Sequence, residues 1–251
     1  MTQQYNEQLV DLLQEGINYA STKSDQIEFL SNKSNSFSLN VDNARVDKYN
    51  IADSQVLGVR VITNNRIGIS YTESINKESI QEIVDSAIEN STYMKEDLHQ
   101  LITAPSGEPK LINTHERNFQ EDNTSAEEKI KLGIALEKRI KEKDSRVKNA
   151  PYNGFNEAVG ESYLLNSKGL FTYEHSKRFS CYTSCLMEDG DKNSLHYHVS
   201  QARNFKGLEV DKCIDESYLH AKELLHAGPI GSGNYDIIFS PETLEELFSA
   251  F

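Results

Sequence analysis

Residues 146–205 alternate apolar and polar side chains with a period of two, and this pattern constrains the fold more than any other feature of the sequence. Because successive side chains of a strand point to opposite faces, such a run predicts strands with one buried face. Two clusters interrupt the run, Asn-Ser-Lys-Gly at 166–169 and Glu-Asp-Gly-Asp at 188–191, and both are rich in turn-forming residues. The region therefore predicts a meander of three long antiparallel strands.

A second region of period two lies between residues 26 and 74. Its clearest part is SQVLGVRVITNNRIGISYTES, residues 54–74, where two alternating runs flank Asn64 and Asn65. Asparagine tolerates the positive φ that a tight hairpin turn needs. The segment therefore predicts a β-hairpin with its turn at these two asparagines.

Four other segments repeat apolar residues every three to four positions, which predicts amphipathic helices. They cover residues 5–20, 76–94, 126–144 and 211–228. Ser125 is placed to cap the third of these, and Glu128 completes the spacing of a capping box. Helices and strands are segregated along the chain instead of alternating as βαβ units, so the predicted fold class is α+β.

The order of these elements predicts how the chain is divided. Residues 1–103 form an N-terminal α+β domain, built as helix, antiparallel sheet and helix, and residues 104–125 form a polar, proline-containing connector. Residues 126–233 form a helix, a β-meander and a helix. The segment NYDIIFSPETLEELFSAF, residues 234–251, predicts a strand, a turn and the start of a helix, which we interpret as the beginning of a further domain.

Composition excludes some classes of partner. The 251 residues carry a formal net charge of −13, and a strongly acidic chain is repelled by nucleic-acid phosphates. The N-terminus is polar, and no apolar run approaches the roughly 20 residues that a membrane-spanning helix needs. With only three cysteines, the chain is predicted to be a cytoplasmic protein that binds neither nucleic acid nor membrane.

The sequence offers few residues that could carry chemistry. His196 and His198 would point the same way on a strand, so they could share a metal with a third ligand such as His175 or Cys185. We favour a different interpretation, in which both histidines lie on the polar face of a half-exposed sheet. Cys181 and Cys185 would lie about 13 Å apart on one strand, too far to share a tetrahedral metal.

Other motifs are weaker still. His115-Glu116 begins a zincin-like motif, but no second histidine follows it. His220 and His226 are six residues apart on a predicted helix and would face different directions. The sequence contains no nucleophile elbow, P-loop or dinucleotide fingerprint, so the residues alone assign no catalytic or substrate-binding residue.

Four blocks, in order, resemble the TldD/PmbA family. They are LGVRVITNNRIGISYTES at 57–74, the helix that follows it, LLNSKGLFTYEHSKRFSCYTSCLMEDG at 164–190, and NYDIIFSPETLEELFSAF at 234–251. The last resembles the strand and helix that open the second half of family members. The resemblance therefore implies a truncated chain, whose mostly β second half would follow Phe251.

The resemblance also implies a role within the family. TldD-like members carry an HExxxH zinc motif, whereas PmbA-like members, also called TldE, lack it and pair with a TldD-like chain in a peptidase complex. When the last block is aligned with that motif, Pro241 and Glu246 replace the two histidines and Glu242 matches the glutamate. This implies a PmbA/TldE-like subunit without its own metal or cofactor, and zinc is expected in its partner.

The implied partner is a TldD-like subunit in a heterodimer, or a second copy in a homodimer, and the implied substrate is a peptide or small unfolded protein. The family is linked to maturation of peptides and to the older label "modulator of DNA gyrase". Two alternatives remain open. One is a regulatory or binding protein without a hydrolase, and the other is a peptidase with an unrecognised metal site that uses His196, His198 or residues beyond 251.

Overall fold

The structure is a computed structural model that describes residues 5–106, 112–113 and 118–250. His115 and Glu116 lie outside the described residues. The helices are α1 (Glu7–Ala20), α2 (Lys77–Thr92), α3 (Ala126–Lys141), α4 (Val210–Leu224) and α5 (Pro241–Phe248). The strands are β1 (Gln26–Asp42), β2 (Arg45–Thr63), β3 (Arg66–Thr72), β4 (Ile112–Asn113), β5 (Val147–Asn149), β6 (Gly154–Asn166), β7 (Phe171–Asp189) and β8 (Lys192–Ala202).

These strands form one sheet in the order β3-β2-β1-β6-β7, with β4, β5 and β8 each paired to β7. All pairs are antiparallel except the short pairing of β4 with β7. The predicted α+β fold class is confirmed. The sheet joins the two long predicted β regions, because β1 pairs with β6 from Glu28 opposite Asn166 to Asn40 opposite Gly154. The predicted division into domains stays a prediction.

Helices α1 to α4 pack on the same face of the sheet. The odd-numbered residues of β1 and β7 point to that face, and the apolar ones among them belong to two hydrophobic clusters. One cluster lies under α1 and α2 and includes Ile27, Phe29 and Tyr173. The other lies under α3 and α4 and includes Leu39, Phe179 and Cys213. Alternation along the strands therefore places one face in the core and leaves the other without a helix in the described part of the chain.

Local signals at the ends of elements behave as predicted. The side-chain oxygen of Ser125 accepts a hydrogen bond from the Glu128 amide, and Glu128 accepts one from the Ser125 amide, so the predicted capping box is confirmed. Asn64 and Asn65 have φ values of 50° and 58°, which confirms the predicted hairpin turn. The meander is also confirmed as β6, β7 and β8, with the short β5 added before it.

Two predicted elements are wrong. Residues 234–239 do not form a strand, because no strand among the described residues lies beside them to complete a hydrogen-bonded ladder. His226 does not lie on a helix with His220, since α4 ends at Leu224. Residues 226–240 instead leave the sheet as an exposed segment that leads to α5, after Leu225, which is still buried in the core.

Candidate functional site

A groove of about 920 Å³ runs between the edge of β8, helix α4 and helix α5. Residues 179–182 of β7 pair with both β6 and β8, so these two strands lie on opposite sides of β7. In the described part of the chain, β7 is the only strand that pairs with β8. The groove is lined by residues 196–201 of β8, by Glu209, Lys212, Glu216, His220, Glu223 and Leu224, and by Ser240, Glu242, Thr243 and Glu246.

The two strand histidines line this groove from the helix-covered side of the sheet. His196 lies opposite Cys185 in the ladder, and His198 lies opposite Thr183. Both of those partners are fully buried on the face that α4 covers. The interpretation that His196 and His198 lie on the polar face of a half-exposed sheet is therefore wrong, because α4 packs over their side of β8.

His196 meets a third histidine that the sequence did not place beside it. The ring centroids of His196 and His220 are 4.9 Å apart. Both ring nitrogens of His220 lie 3.2 Å from carboxylate oxygens, one of Glu216 and one of Glu223. Burial lowers the pKa of His196, and His220 and His198 lower it further. The groove thus contains the His196 imidazole, which favours its neutral form, close to the His220 imidazole, which contacts two carboxylates.

We expect the pKa of His196 to rise when His220 is replaced by alanine, because this variant removes both a ring that disfavours the charged form of His196 and part of the cover over it. Glu216→Gln should lower the pKa of His196, because Glu216 favours the charged imidazole. Titration of the imidazole proton resonances by NMR measures both shifts. His226→Ala, outside the groove lining, is the control and should leave His196 unchanged. Shifts of the same sign in both groove variants would contradict this electrostatic arrangement.

A metal site in the groove would need at least three ligand side chains that converge on one point. Among the residues that the structure describes, no group of three or more His, Cys, Asp or Glu side chains is arranged to hold a metal ion. Neither suggested third ligand lines the groove: His175 lies on the part of β7 that does not pair with β8, and Cys185, although opposite His196 in the ladder, is fully buried in the core. His175 stacks on Phe119 with centroids 4.1 Å apart, and burial raises the pKa of Cys185 to about 11, which keeps its thiol protonated. Cys181 lies in the hydrophobic cluster under α3 and α4, together with Cys185.

Helix α5 carries Pro241, Glu242 and Glu246, the residues that the resemblance aligns with the HExxxH motif. Ser240 caps it by accepting a hydrogen bond from the Thr243 amide, and Pro241 occupies the first turn. Proline has no side-chain ligand atom, so these residues do not fit a zinc site of the HExxxH type. Glu242 and Glu246 line the groove as carboxylates. The Glu242 backbone amide, and then Ser240, lower the pKa of Glu242.

Sequence reasoning missed the carboxylates of α4 that face the groove. Glu216 and Glu223 are seven residues apart, which is two helical turns, and this spacing was a signal that they share one side of the helix. Which side faces β8 depends on packing of the buried residues Cys213, Ser217 and Ala221. That packing is a tertiary property that the spacing alone does not give.

The comparisons with known proteins agree with this fold. The profile of PmbA/TldA metallopeptidase domain 1 matches residues 28–91, and that of the PmbA/TldA metallopeptidase central domain matches residues 119–225. Together the two matches cover more than half of the chain. The chain belongs to the TldD/PmbA family of metallopeptidases. In the part of the chain that the structure describes, no helix is long and apolar enough to cross a membrane.

Two relatives show the same likeness. A Buchnera aphidicola protein named metalloprotease PmbA homolog is 24% identical over 247 residues, which is 96% of this chain and 54% of that protein. An uncharacterised protein of Methanocaldococcus jannaschii is 25% identical over 228 residues, covering 89% of this chain and 49% of that protein.

Two solved structures have a similar fold. TldE of Thermococcus kodakarensis gives a TM-score of 0.62 at 16% identity, covering 84% of this chain and 47% of that one. A Bacteroides thetaiotaomicron protein named as a candidate modulator of DNA gyrase gives a TM-score of 0.74 at 19% identity. The match covers 97% of this chain and 56% of that one. The chain thus spans about half the length of the relatives that it matches.

Proposed function

We propose that this chain is a PmbA/TldE-like subunit of a zinc metallopeptidase complex, and that a TldD-like partner supplies the HExxxH site. The complex acts in proteolysis and in maturation of peptides or small unfolded proteins. Family membership and the metalloprotease name of the Buchnera relative support the class of activity. The PmbA name of that relative supports the branch of the family.

The observation that carries this proposal is the composition of α5. By the alignment given above, Pro241 and Glu246 occupy the positions of the two zinc-binding histidines. Glu242 and Glu246 line the groove beside β8, while Pro241 provides no ligand atom. A family member with this helix depends on another subunit for a metal-activated water.

Exposed apolar side chains support a subunit role as well. Ile237 is 69% exposed, Ile238 is 97% exposed and Phe248 is 64% exposed. They lie close together in sequence, on the segment that leads to α5 and on α5 itself. Apolar surface of this kind is typical of interfaces with other proteins. The partner is a TldD-like chain in a heterodimer, or a second copy in a homodimer.

Peptide hydrolysis tests this function. An unstructured peptide is incubated with the protein alone, with a relative that carries HExxxH, and with both, each with and without a chelator. We expect hydrolysis only where the HExxxH relative is present, strongest with both proteins and abolished by the chelator, because the metal lies in the partner. Chelator-sensitive hydrolysis by this protein alone would contradict the proposal and restore the alternative of an unrecognised metal site.

A second candidate function is a regulatory protein that binds another enzyme without a hydrolase. The Bacteroides thetaiotaomicron structure named as a candidate modulator of DNA gyrase favours it. Because the net charge of −13 disfavours contact with DNA, such a regulatory protein would bind another protein instead. A stable complex with another enzyme, together with absence of hydrolysis in every mixture, would support this candidate over the first.

A further inference from the structure

We propose that the groove beside β8 binds an extended peptide segment that adds to the edge of β8 and presents basic side chains to α4. This inference rests on the proposed function, because it names the class of peptide and the surface that receives it. Three features of the described residues carry it: the strand edge, the position of the carboxylates and the size of the groove.

The edge of β8 supplies main-chain hydrogen-bonding groups to the site. Every second residue of an antiparallel strand directs its amide and carbonyl away from the neighbouring strand, and β7 is the only strand paired with β8 in the described part of the chain. Residues 196–201 line the groove continuously. An added strand can pair with this edge through main-chain hydrogen bonds that do not depend on peptide sequence.

The side chains of the added strand meet a defined environment. Positions opposite His196 and His198 point to the helix-covered side, because directly paired residues share one face of a sheet. There they approach Glu216 and Glu223, whose side chains are 34% and 63% exposed. Alternate positions of the peptide therefore face carboxylates, which favours lysine or arginine at every second residue.

The charge of the whole groove agrees with a basic ligand. Five glutamates line it, against one lysine and three histidines. His196 favours its neutral form, so it adds little positive charge near neutral pH. Carboxylates reach the groove from both helices, Glu216 and Glu223 from α4 and Glu242 and Glu246 from α5. An acidic peptide would meet repulsion from both sides.

The volume fits a peptide strand better than a small ion. About 920 Å³ lies at the upper end of the range for ligand-binding clefts. Six residues of β8 extend over about 20 Å, which accommodates a partner strand of similar length. Leu224 and Thr243 provide uncharged surface between the carboxylates.

Binding of labelled peptides to the purified protein tests the inference by fluorescence anisotropy at low salt. The first probe is a ten-residue peptide with lysine at alternate positions and threonine between them. The second replaces lysine with glutamate, and the third keeps lysine but carries N-methyl groups on alternate amides. We expect the first to bind, and the others to bind at least about tenfold more weakly, because they lack charge complementarity or edge pairing.

Variants identify the surface. The double variant Glu216→Gln with Glu223→Gln should weaken binding of the lysine peptide by about fivefold to tenfold. Glu82→Gln with Glu89→Gln has the same spacing on the exposed side of α2, and should leave binding unchanged. Equal binding of the N-methylated or acidic peptide would overturn the inference. So would self-association through β8 that excludes the peptide, seen as concentration-dependent sedimentation.

The outcomes separate this inference from the proposed function. Peptide binding is measured on this protein alone and needs no hydrolase. Binding of the lysine peptide without hydrolysis in any mixture would leave the β8 site in place and reject the peptidase role. Metal-dependent hydrolysis in the mixture, with no effect of the Glu216 and Glu223 substitutions on peptide binding, would support the subunit role and reject the site.

Discussion

Replacing Gly68 with alanine is expected to lower the free energy of unfolding by about 3 kcal/mol or more. Gly68 lies on β3 opposite Val61, on the face that α2 covers. A Cβ atom at this position would lie 1.8 Å from the carbonyl oxygen of Ala87 and 2.9 Å from the amide nitrogen of Ser91. Both are backbone atoms of α2, so no side-chain rotation relieves the overlap, and the helix must move off the sheet.

Urea unfolding followed by circular dichroism measures this loss. Gly160→Ala is the matched control, because Gly160 also lies within a strand. There an added Cβ would lie 3.6 Å from Ser176 Oγ and 3.8 Å from the Lys33 carbonyl oxygen, which are ordinary contacts. We expect its stability to change by less than about 1 kcal/mol. A similar loss in both variants would show that glycine flexibility, not the approach of α2, sets the effect.

The contrast between these glycines shows which parts of the fold the sequence could predict. Both occur in period-two segments, and that period predicted their strands because a half-buried strand must alternate its side chains. The stripe of Ile80, Ile83 and Val84 likewise predicted the buried side of α2. The distance between α2 and β3 has no such local pattern, since it depends on how two separate elements pack.

Pairing between distant strands was beyond sequence reasoning for a related reason. The β2–β3 and β6–β7 hairpins follow from turns, where a few residues fix the register. The ladder between β1 and β6 joins residues more than a hundred positions apart, such as Leu39 and Phe155. No turn fixes that register, so burial of both strands in a common core determines it.

The candidate site was likewise predictable from the sequence only in part. The spacing of His196 and His198 predicted that they share a face, and they do. Their neighbour His220, and the carboxylates around it, come from a helix that follows β8 in the chain but is placed by its buried side. For α5 the helix itself was predicted, while the strand before it was wrong because strand formation needs a partner strand.

Glu137→Ala should lower the free energy of unfolding by about 3 kcal/mol. The variant removes a buried carboxylate that holds the turn between β1 and β2 to α3. Glu137 is 2% exposed. Its two oxygens accept hydrogen bonds from the amides of Asn43 and Ala44, at 2.9 and 2.8 Å. These two turn residues have φ values of 51° and 58°, so their amides point together at the carboxylate. Lys141 adds an ion pair one helical turn away.

Stability of the wild type and the alanine variant, measured by urea unfolding at neutral pH, tests this cost. Glu142→Gln is the matched surface control, because Glu142 is 63% exposed and lies 3.8 Å from its partner, Lys138. Its effect should stay within about 0.5 kcal/mol, as expected for an exposed ion pair. A cost of that small size for Glu137→Ala would contradict a role for the carboxylate in holding the turn.

The same carboxylate predicts a dependence on pH. Burial by itself would raise the pKa of Glu137, but hydrogen bonds from Lys141 and from the amides of Ala44 and Asn43 outweigh it and lower the pKa below its usual 4.5. A lowered pKa in the folded state means that the unfolded chain takes up the proton first as the pH falls. The contribution of Glu137 is therefore complete above about pH 4.5 and is lost as the pH falls through the lower, folded-state pKa.

Glu137→Gln isolates this contribution, because glutamine keeps the size of the side chain and does not titrate. We expect the glutamine variant to be less stable than the wild type at neutral pH, and the difference to narrow on acidification below about pH 4.5. Urea midpoints at a series of pH values measure it. A difference that stays constant across the series would show that the turn is held by the shape of the side chain, without its charge.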